Sequence, residues 1–362
     1  MLTVGVLGAG GAVGRQVARG LAGAGVGVRL GVRRPASVEV PAGAEVVTVD
    51  VTAPAALRAF CAGCHLVVNC AGPSYRLSPV VAAAAVAAGA AYVDAGGDDL
   101  LRDRLSFAPV PVVLGAGQSP GLSGLLPRWL RDPDGGPVEV LRAWFGGLDR
   151  FSPAAAADMV ASLHDGYGEA LAGWRAGAAA PRTVEPLVDV SLPPFPGRVT
   201  AYPFLTGEAR RLAVELGVRD GAWFNVFAGR QTLAVLNRLR TGTVGADPGD
   251  ADGGTAAVRL ARAAEVDLAG QRPYQLMVVE IADDRGARTL TLRTDDGYRL
   301  TATVAVEAAA AVLAGAVPPG AWLAADLLDP AAVVDRLRRD AVCTVFEVTD
   351  GPRAAAVEEG VL

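Results

Sequence analysis

The sequence contains no lysine, because arginine fills all 33 of its lysine and arginine positions. This absence excludes any mechanism that forms a Schiff base on an enzyme lysine or uses a lysine as a general acid. Histidine is almost as scarce, with only His65 and His164 in 362 residues. Obvious acid and base groups are therefore few.

Other absences narrow the class of protein. The formal net charge is -5 and no cluster of basic residues occurs, so we expect no nucleic-acid partner. The apolar run from Leu77 to Val93 is interrupted by Pro79 and Gly89, and falls short of the roughly 20 residues of a membrane span. No basic stretch precedes an apolar one at the start of the sequence, and there are only four cysteines. We therefore expect a reduced protein in the cytoplasm.

Two of the cysteines form the pattern Cys61-x-x-Cys64-His65, the attachment signature of a c-type haem. Haem attachment usually occurs outside the cytoplasm, and a zinc site needs about four ligands, whereas the sequence has no second Cys/His pair. We predict that both thiols are small buried hydrophobic groups and that His65 begins a strand buried on both faces. Neither haem nor metal is expected.

The first 32 residues follow the pattern of a dinucleotide-binding unit. An apolar strand over 2–7 leads into a glycine-rich turn, a helix with an apolar stripe and a second strand over about 26–32. Gly8, Gly11 and Gly14 fit the spacing G-x-x-G-x-x-G, whereas Val13 breaks the commoner G-x-G-x-x-G. Such glycines allow the backbone to approach a pyrophosphate, which the next helix N-terminus binds. The alternative is a tight turn with no ligand.

The end of the second strand indicates which dinucleotide is bound. Arg33 and Arg34 follow this strand, and no acidic residue occurs before Glu39. An NAD enzyme usually has Asp or Glu here for the ribose 2′-hydroxyl, whereas guanidinium groups suit a 2′-phosphate. We predict NADP in preference to NAD; two solvated loop arginines are the alternative. Asp50, after the third strand, would meet the adenine or cap a helix.

Three longer stretches resemble one family. They are LGAGGAVGRQVARGL (7–21), VVNCAGPSYRLSPVVAAAAVAAGAAYVDAGGD (67–98) and VVLGAGQSPGLSGLLP (112–127). Together they resemble the NAD(P)-binding half of the saccharopine dehydrogenase-like superfamily, which includes saccharopine reductases, carboxynorspermidine dehydrogenases and trans-acting enoyl reductases. The likeness resumes over 298–330.

The resemblance implies an α/β protein with a Rossmann-type, doubly wound parallel sheet. This NAD(P)-binding domain would span 1–130 and be completed by 319–362. An inserted α+β domain with an antiparallel sheet, over 131–318, would serve substrate binding and dimerisation, with the active site in the cleft between the domains. Relatives are often homodimers.

Carried over by motif, the resemblance also implies a cofactor site made of several loops. Its pyrophosphate loop comprises Gly8, Gly10, Gly11, Ala12, Val13 and Gly14. Arg33 and Arg34 would bind the 2′-phosphate, Asp50 and Val51 would flank the adenine, and Cys70, Ala71, Gly72 and Pro73 would line the nicotinamide ribose. Gly117 and Gln118, in the turn over 115–121, would face the nicotinamide and the substrate. Ser74 and the segment 95–98 depart from the family pattern beside the expected substrate pocket, so the resemblance does not define the substrate.

The candidate catalytic residues are His164, Asp94 and Tyr75. His164 has a pKa suited to proton transfer and lies in a predicted helix over 154–175, where a packed histidine is the alternative. Asp94 ends a predicted strand, where a ligand or a structural cap is expected. Tyr167, Arg211 and Arg230 are candidate substrate-binding residues, the arginines as partners of a carboxylate. Residues 274–306 alternate like a pair of antiparallel hairpins.

Three functions remain open at this point. The first is an NADP-dependent reductase of an imine (C=N) bond in an amino-acid-derived substrate, in specialised metabolism. The second is a trans-acting enoyl (C=C) reductase. The third is a non-catalytic dinucleotide-binding protein, which the scarcity of acid and base groups would suit.

Overall fold

The computed structural model describes residues 2–22, 24–35, 39–97, 99–163, 166–241 and 254–352. The chain forms two compact units, one of Met1–Leu125 with Tyr298–Asp340 and one of Leu126–Gly297 with Ala341–Leu362. This division differs from the predicted boundaries where the chain re-enters the first unit, at residue 298, and where it leaves that unit again, after residue 340. Residues 298–318 join the first unit, where the helix over 297–313 packs beside Gly20 through Val306, and residues after 340 join the second because they add a strand to its sheet.

A seven-stranded sheet in which every pair of neighbours is parallel organises the first unit. The strands are β1 (Thr3–Leu7), β2 (Gly27–Val32), β3 (Glu45–Thr48), β4 (Leu66–Asn69), β5 (Ala91–Asp94), β6 (Pro111–Leu114) and β16 (Gly320–Leu323). Their spatial order is β16-β6-β5-β4-β1-β2-β3. The helices are α1 (Ala12–Leu21), α2 (Pro54–Cys61), α3 (Ser74–Ala87), α4 (Asp99–Arg104), α5 (Leu122–Leu130), α10 (Gly297–Leu313), α11 (Ala324–Leu327) and α12 (Pro330–Arg339).

Strand order in this sheet reverses at β1. The chain proceeds outward from β1 to β2 and β3 on one side, and β4, β5 and β6 follow on the other side. The loops that leave β1 and β4 therefore diverge, and open α/β sheets bind their ligands in the crevice at such a point. The residues of β4 and β5 are all buried, as expected for the centre of a parallel sheet. The predicted Rossmann-type sheet is confirmed.

A ten-stranded sheet organises the second unit. It is mixed because the strands Val140–Leu148 and Asp220–Phe227 pair in parallel while the other pairs are antiparallel. Its strands are β7 (Val140–Leu148), β8 (Gly168–Ala170), β9 (Gly173–Arg175), β10 (Ala178–Ala180), β11 (Leu187–Ser191), β12 (Arg198–Thr206), β13 (Asp220–Phe227), β14 (Tyr274–Asp283), β15 (Gly286–Thr294) and β17 (Val345–Asp350). The helices are α6 (Pro153–Ala161), α7 (Gly207–Glu215), α8 (Arg230–Arg240) and α9 (Gly254–Leu268). Trp144 stacks on Phe224 in its core, with ring centroids 5.8 Å apart.

Two sequence predictions in this region are wrong. The predicted helix over 154–175 ends at Ala161, and Trp174 lies on β9, where its indole N–H donates to the carbonyl of Val218 at 2.8 Å. The first predicted hairpin is present as β14 and β15, but residues 297–313 then form α10 and no second hairpin. Alternating Thr and Val residues near its start imitate a strand, while the alanine-rich run that follows favours the helix. No helix in the described residues combines the length and apolarity needed to cross a membrane.

Candidate functional site

The glycine loop after β1 brings backbone into direct contact with backbone. Gly8 has a φ of 74°, and its N–H and that of Ala9 donate to the carbonyl of Gly31 at 3.1 and 3.3 Å. A Cβ added to Gly14 would lie 2.2 Å from the carbonyl oxygen of Gly8, so α1 can pack this closely only on glycine. α1 begins after Gly11 with no side-chain cap and no acidic residue in its first turn. Its first N–H groups therefore lack a side-chain acceptor and suit an anion.

The loop after β4, residues 70–73, faces the glycine loop. A Cβ on Gly8 would lie 2.7 Å from the carbonyl of Cys70 and 2.7 Å from the amide nitrogen of Ala71. Burial, reinforced by the nearby charge of Asp94, raises the pKa of the Cys70 thiol, which is protonated at neutral pH. Tyr75 is the second residue of α3 and is half-buried. The structure thus brings two of the predicted cofactor segments together at the reversal point of the sheet.

Three polar side chains lie buried at the carboxyl ends of β4 and β5. Asn69 and Asp94 are each 1% exposed, and Tyr92 is fully buried. One Asp94 oxygen accepts from the N–H of Gly96 at 2.9 Å; the other accepts from the amide of Asn69 at 3.1 Å and from the Tyr92 hydroxyl. Burial raises the pKa of Asp94, while the Tyr92 hydroxyl acts in the opposite direction. Sequence reasoning identified Asp94 but missed Asn69 and Tyr92.

The turn over 115–121 lies against the end of β5. Gly117 is buried, and a Cβ there would lie 2.4 Å from the carbonyl oxygen of Ala95. The N–H of Gln118 donates to the hydroxyl of Thr301 on α10 at 3.2 Å, and Gln118 itself is half-buried. Gly117 and Gln118 are therefore held at the same edge of the sheet as the two loops above, and their roles toward the nicotinamide and the substrate stay predictions.

The ends of β2 and β3 carry the predicted specificity residues. Arg33 and Arg34 are exposed after β2, and Glu39 forms an ion pair with Arg19. The backbone N–H and hydroxyl of Thr52 donate to Asp50 at 2.9 and 2.7 Å, and they lower its pKa together with the weaker influence of Arg33. Val51 is 9% exposed and packs in the core. Asp50 thus holds a turn ahead of α2, whose N-cap is Ala53.

The Cys61-x-x-Cys64-His65 segment joins the end of α2 to the start of β4. The prediction of a buried His65 is wrong: its side chain is exposed and its Nδ1 accepts from the N–H of Thr3 at 3.1 Å, because it precedes β4 at the amino edge of the sheet. Both thiols are buried and reduced, and burial raises the pKa of Cys61 to about 11. In the described residues no three His, Cys, Asp or Glu side chains are grouped as metal ligands would be.

The remaining candidates lie in the second unit or outside the described residues. Tyr167 is half-buried in the bend before β8, Arg211 is half-buried on α7, and Arg230 is the exposed first residue of α8. His164 lies outside the described residues. All four stay predictions from the sequence.

A parallel sheet with a glycine loop at its reversal point defines a dinucleotide-binding fold. In agreement, residues 8–95 match the model of the NAD(P)H-binding family, which indicates a nicotinamide dinucleotide as cofactor. Saccharopine dehydrogenase (L-Glu forming) from Saccharomyces cerevisiae has a similar structure, with a TM-score of 0.66 at 15% identity, over 97% of this chain and 100% of that one. The resemblance drawn from the sequence is thereby confirmed for the fold, and this chain has the fold of saccharopine dehydrogenase.

Two other solved structures match smaller parts of the chain. A Rossmann-fold NAD(P)-binding family protein from Shigella flexneri is 26% identical over 26% of this chain and 50% of its own, with a TM-score of 0.23. Uronate dehydrogenase from Agrobacterium tumefaciens is 27% identical over 27% of this chain and 41% of its own, with a TM-score of 0.24. No curated protein matches the chain significantly.

Proposed function

We propose that the protein is an NADP-dependent oxidoreductase of the saccharopine dehydrogenase type that reduces an imine bond in an amino-acid-derived substrate. The observation that carries this proposal is the contact between the glycine loop and the Cys70–Ala71 turn at the reversal point of the sheet. This contact holds the start of α1 at the crevice, and α1 suits a dinucleotide's pyrophosphate because it presents N–H groups with no side-chain cap. The nicotinamide, when bound, supplies the hydride.

The preference for NADP rests on the charges after β2. Arg33 and Arg34 are exposed at the position where an NAD enzyme places a carboxylate for the ribose. Glu39, the first acidic residue after this strand, pairs with Arg19. A 2′-phosphate would therefore meet guanidinium groups and no competing carboxylate from this segment.

For the proton, Tyr75 is the described residue that we favour. It stands two residues after Pro73 at the start of α3, beside the turn assigned to the nicotinamide ribose. A neutral imine must be protonated on nitrogen before it accepts a hydride readily, and a phenol held near that nitrogen can supply the proton. The homodimer and the cytoplasmic location stay predictions.

Titration of the protein with NADPH and NADH, followed by nucleotide fluorescence, tests the cofactor assignment. Arg33→Ala should raise the Kd for NADPH by about 10- to 100-fold and leave that for NADH nearly unchanged, since one charged hydrogen-bonded contact contributes about 1.5–3 kcal/mol. Arg58→Ala removes an exposed arginine from α2 and is the matched control. Tighter binding of NADH by the wild type would refute the NADP assignment.

Turnover with panels of imines and enoyl thioesters then tests the reaction. Reduction of imines alone supports the proposal, and reduction of enoyl thioesters alone would replace it with the enoyl reductase. Binding of NADPH without turnover of either panel would favour the non-catalytic alternative.

A further inference from the structure

Asp94 lies in the core of the seven-stranded sheet and is 1% exposed. Among the described residues of this sheet, no other carboxylate is buried. A buried carboxylate is retained only where several donors compensate for its lost hydration. Three donors do so here, from Gly96, Asn69 and Tyr92. The arrangement is thus a closed hydrogen-bond network, which we call the Asp94 network, with Asn69 and Tyr92 as its other side chains.

The network has only one consistent pattern of donors and acceptors. Since the carboxylate of Asp94 only accepts, the NH2 group of Asn69 must point toward it. The amide oxygen of Asn69 then points the other way and accepts from the N–H of Ala71 at 3.1 Å. The charge at residue 94 therefore determines which side of Asn69 faces the turn after β4.

This turn is the one that contacts the glycine loop, because the amide nitrogen of Ala71 lies 2.7 Å from the Cβ position of Gly8. The other oxygen of Asp94 holds the N–H of Gly96, and the carbonyl of Gly96 accepts from the N–H of Gly115 at the start of the next turn. One carboxylate is thus connected to the turns after β4, β5 and β6. All three lie at the carboxyl edge of the sheet.

We propose that Asp94 is a positioning residue: through Asn69 it sets the orientation of the Cys70–Pro73 turn that receives the nicotinamide half of the cofactor, and it is not the proton donor. This inference rests on the proposed function. A proton donor has to reach the substrate, whereas both Asp94 oxygens are occupied by protein donors at 1% exposure.

The substitution Asp94→Asn tests the pattern with almost no change in shape. The introduced amide accepts from Gly96 but presents an NH2 group to the NH2 group of Asn69. Relief of that clash requires one of the two amides to rotate: rotation at Asn69 turns an NH2 group toward the N–H of Ala71, and rotation at position 94 turns one toward the N–H of Gly96. Either rotation removes a bond that holds one of the turns at this edge of the sheet. We expect the Kd for NADPH to rise about tenfold, together with faster hydrogen exchange in the peptide that contains residues 70–73.

The double substitution Asn69→Asp with Asp94→Asn is the decisive variant, because it exchanges the two side chains and keeps the net charge. The introduced amide at 94 then donates to the introduced carboxylate at 69, whose second oxygen accepts from Ala71. We expect NADPH affinity, exchange protection and kcat to return to within about threefold of the wild type. A proton donor at 94 would stay lost in this variant.

Thr303→Val is the control for general loss of stability. It removes a buried hydroxyl on α10, bonded to the carbonyl of Arg299 at 2.9 Å, and leaves the Asp94 network intact. Its Kd for NADPH should equal that of the wild type, however much the substitution changes the melting temperature. If Asp94→Asn does not fold, Tyr92→Phe removes one donor from the same carboxylate and should raise the Kd in the same direction.

Each result bears on one proposal. Failure of the double variant to restore exchange protection would overturn the positioning role, as would an Asp94→Asn protein with wild-type exchange and affinity. A double variant with restored affinity but the low kcat of the single variant would make Asp94 a proton donor and overturn the inference as well. If the wild type binds neither nucleotide, the proposed function fails, and hydrogen exchange still decides whether the network holds the turn.

Discussion

Gly14→Ala should damage both stability and cofactor binding, although alanine is the better helix former by about 0.5–1 kcal/mol. The added Cβ would lie 2.2 Å from the carbonyl oxygen of Gly8 and 2.8 Å from the Cα of Ala9, and both are backbone atoms that no rotamer change can move. Ordinary contact requires a retreat of α1 by about 1 Å. Overpacking of this kind costs about 1–3 kcal/mol, so after the gain in helix propensity we expect a net loss of about 1 kcal/mol in the free energy of unfolding.

The same retreat moves the first N–H groups of α1 away from any bound pyrophosphate. We therefore expect the Kd for NADPH to rise at least tenfold, measured by fluorescence titration alongside urea unfolding. Gly11→Ala is the stability control: its Cβ would lie 3.2 Å from the same carbonyl oxygen at an ordinary φ of -78°, and it should cost only about 0.5 kcal/mol. A Gly14→Ala protein as stable as the wild type, with unchanged affinity, would refute the close-packing argument.

Two further predictions concern stability alone. The raised pKa of Cys61, about 11, means that unfolded chains lose this proton at lower pH than native ones, so the native state should lose about 2 kcal/mol of stability between pH 9 and pH 11. Cys61→Ala should reduce this pH-dependent loss of stability, measured as the free energy of urea unfolding at pH 9 and pH 11. An unchanged difference between the two pH values would contradict the burial argument. Asp267 accepts from the N–H groups of Gln231 and Thr232 at the start of α8, so Asp267→Ala should lower the free energy of unfolding by about 1–2 kcal/mol. Asp267→Asn keeps one acceptor, so its free energy of unfolding should lie between those of the wild type and Asp267→Ala. Equal stability of all three proteins would contradict the capping role.

The fold of the first unit could be predicted from the sequence because its strands are short apolar runs separated by glycine-rich turns. The spacing of Gly8, Gly11 and Gly14 places the loop, and the apolar content of β4 and β5 places both in the sheet's centre. The fold of the second unit was harder to predict because its segments change from helix to strand within a few residues. Residues 154–175 begin as a helix but continue as β8 and β9, since Trp174 is fixed by tertiary contact with Val218 and local helical spacing has no influence on it.

The candidate site could be predicted in part because it lies at the ends of the first unit's strands. Polar residues at strand ends are visible in a sequence, and Asp94 was identified in this way. The pairing of Asn69 with Asp94 depends on β4 and β5 being neighbours in register, which the sequence alone does not give. Tyr92 was missed because its aromatic ring reads as an ordinary buried strand residue, while its hydroxyl reaches the carboxylate two positions later on the same face.

The imine substrate that we propose would require less of the described residues than an enoyl substrate. The chain has no lysine, His65 is bonded to β1 at the opposite edge of the sheet, and the carboxylate of Asp94 is enclosed by donors. An imine that is protonated before hydride transfer becomes a neutral amine as the hydride adds to carbon, so the step itself needs no further acid. An enoyl thioester requires a donor at the α-carbon and stabilisation of a developing enolate. For the proposed imine reaction one proton is required before hydride transfer, and Tyr75, the second residue of α3, is the donor that we propose.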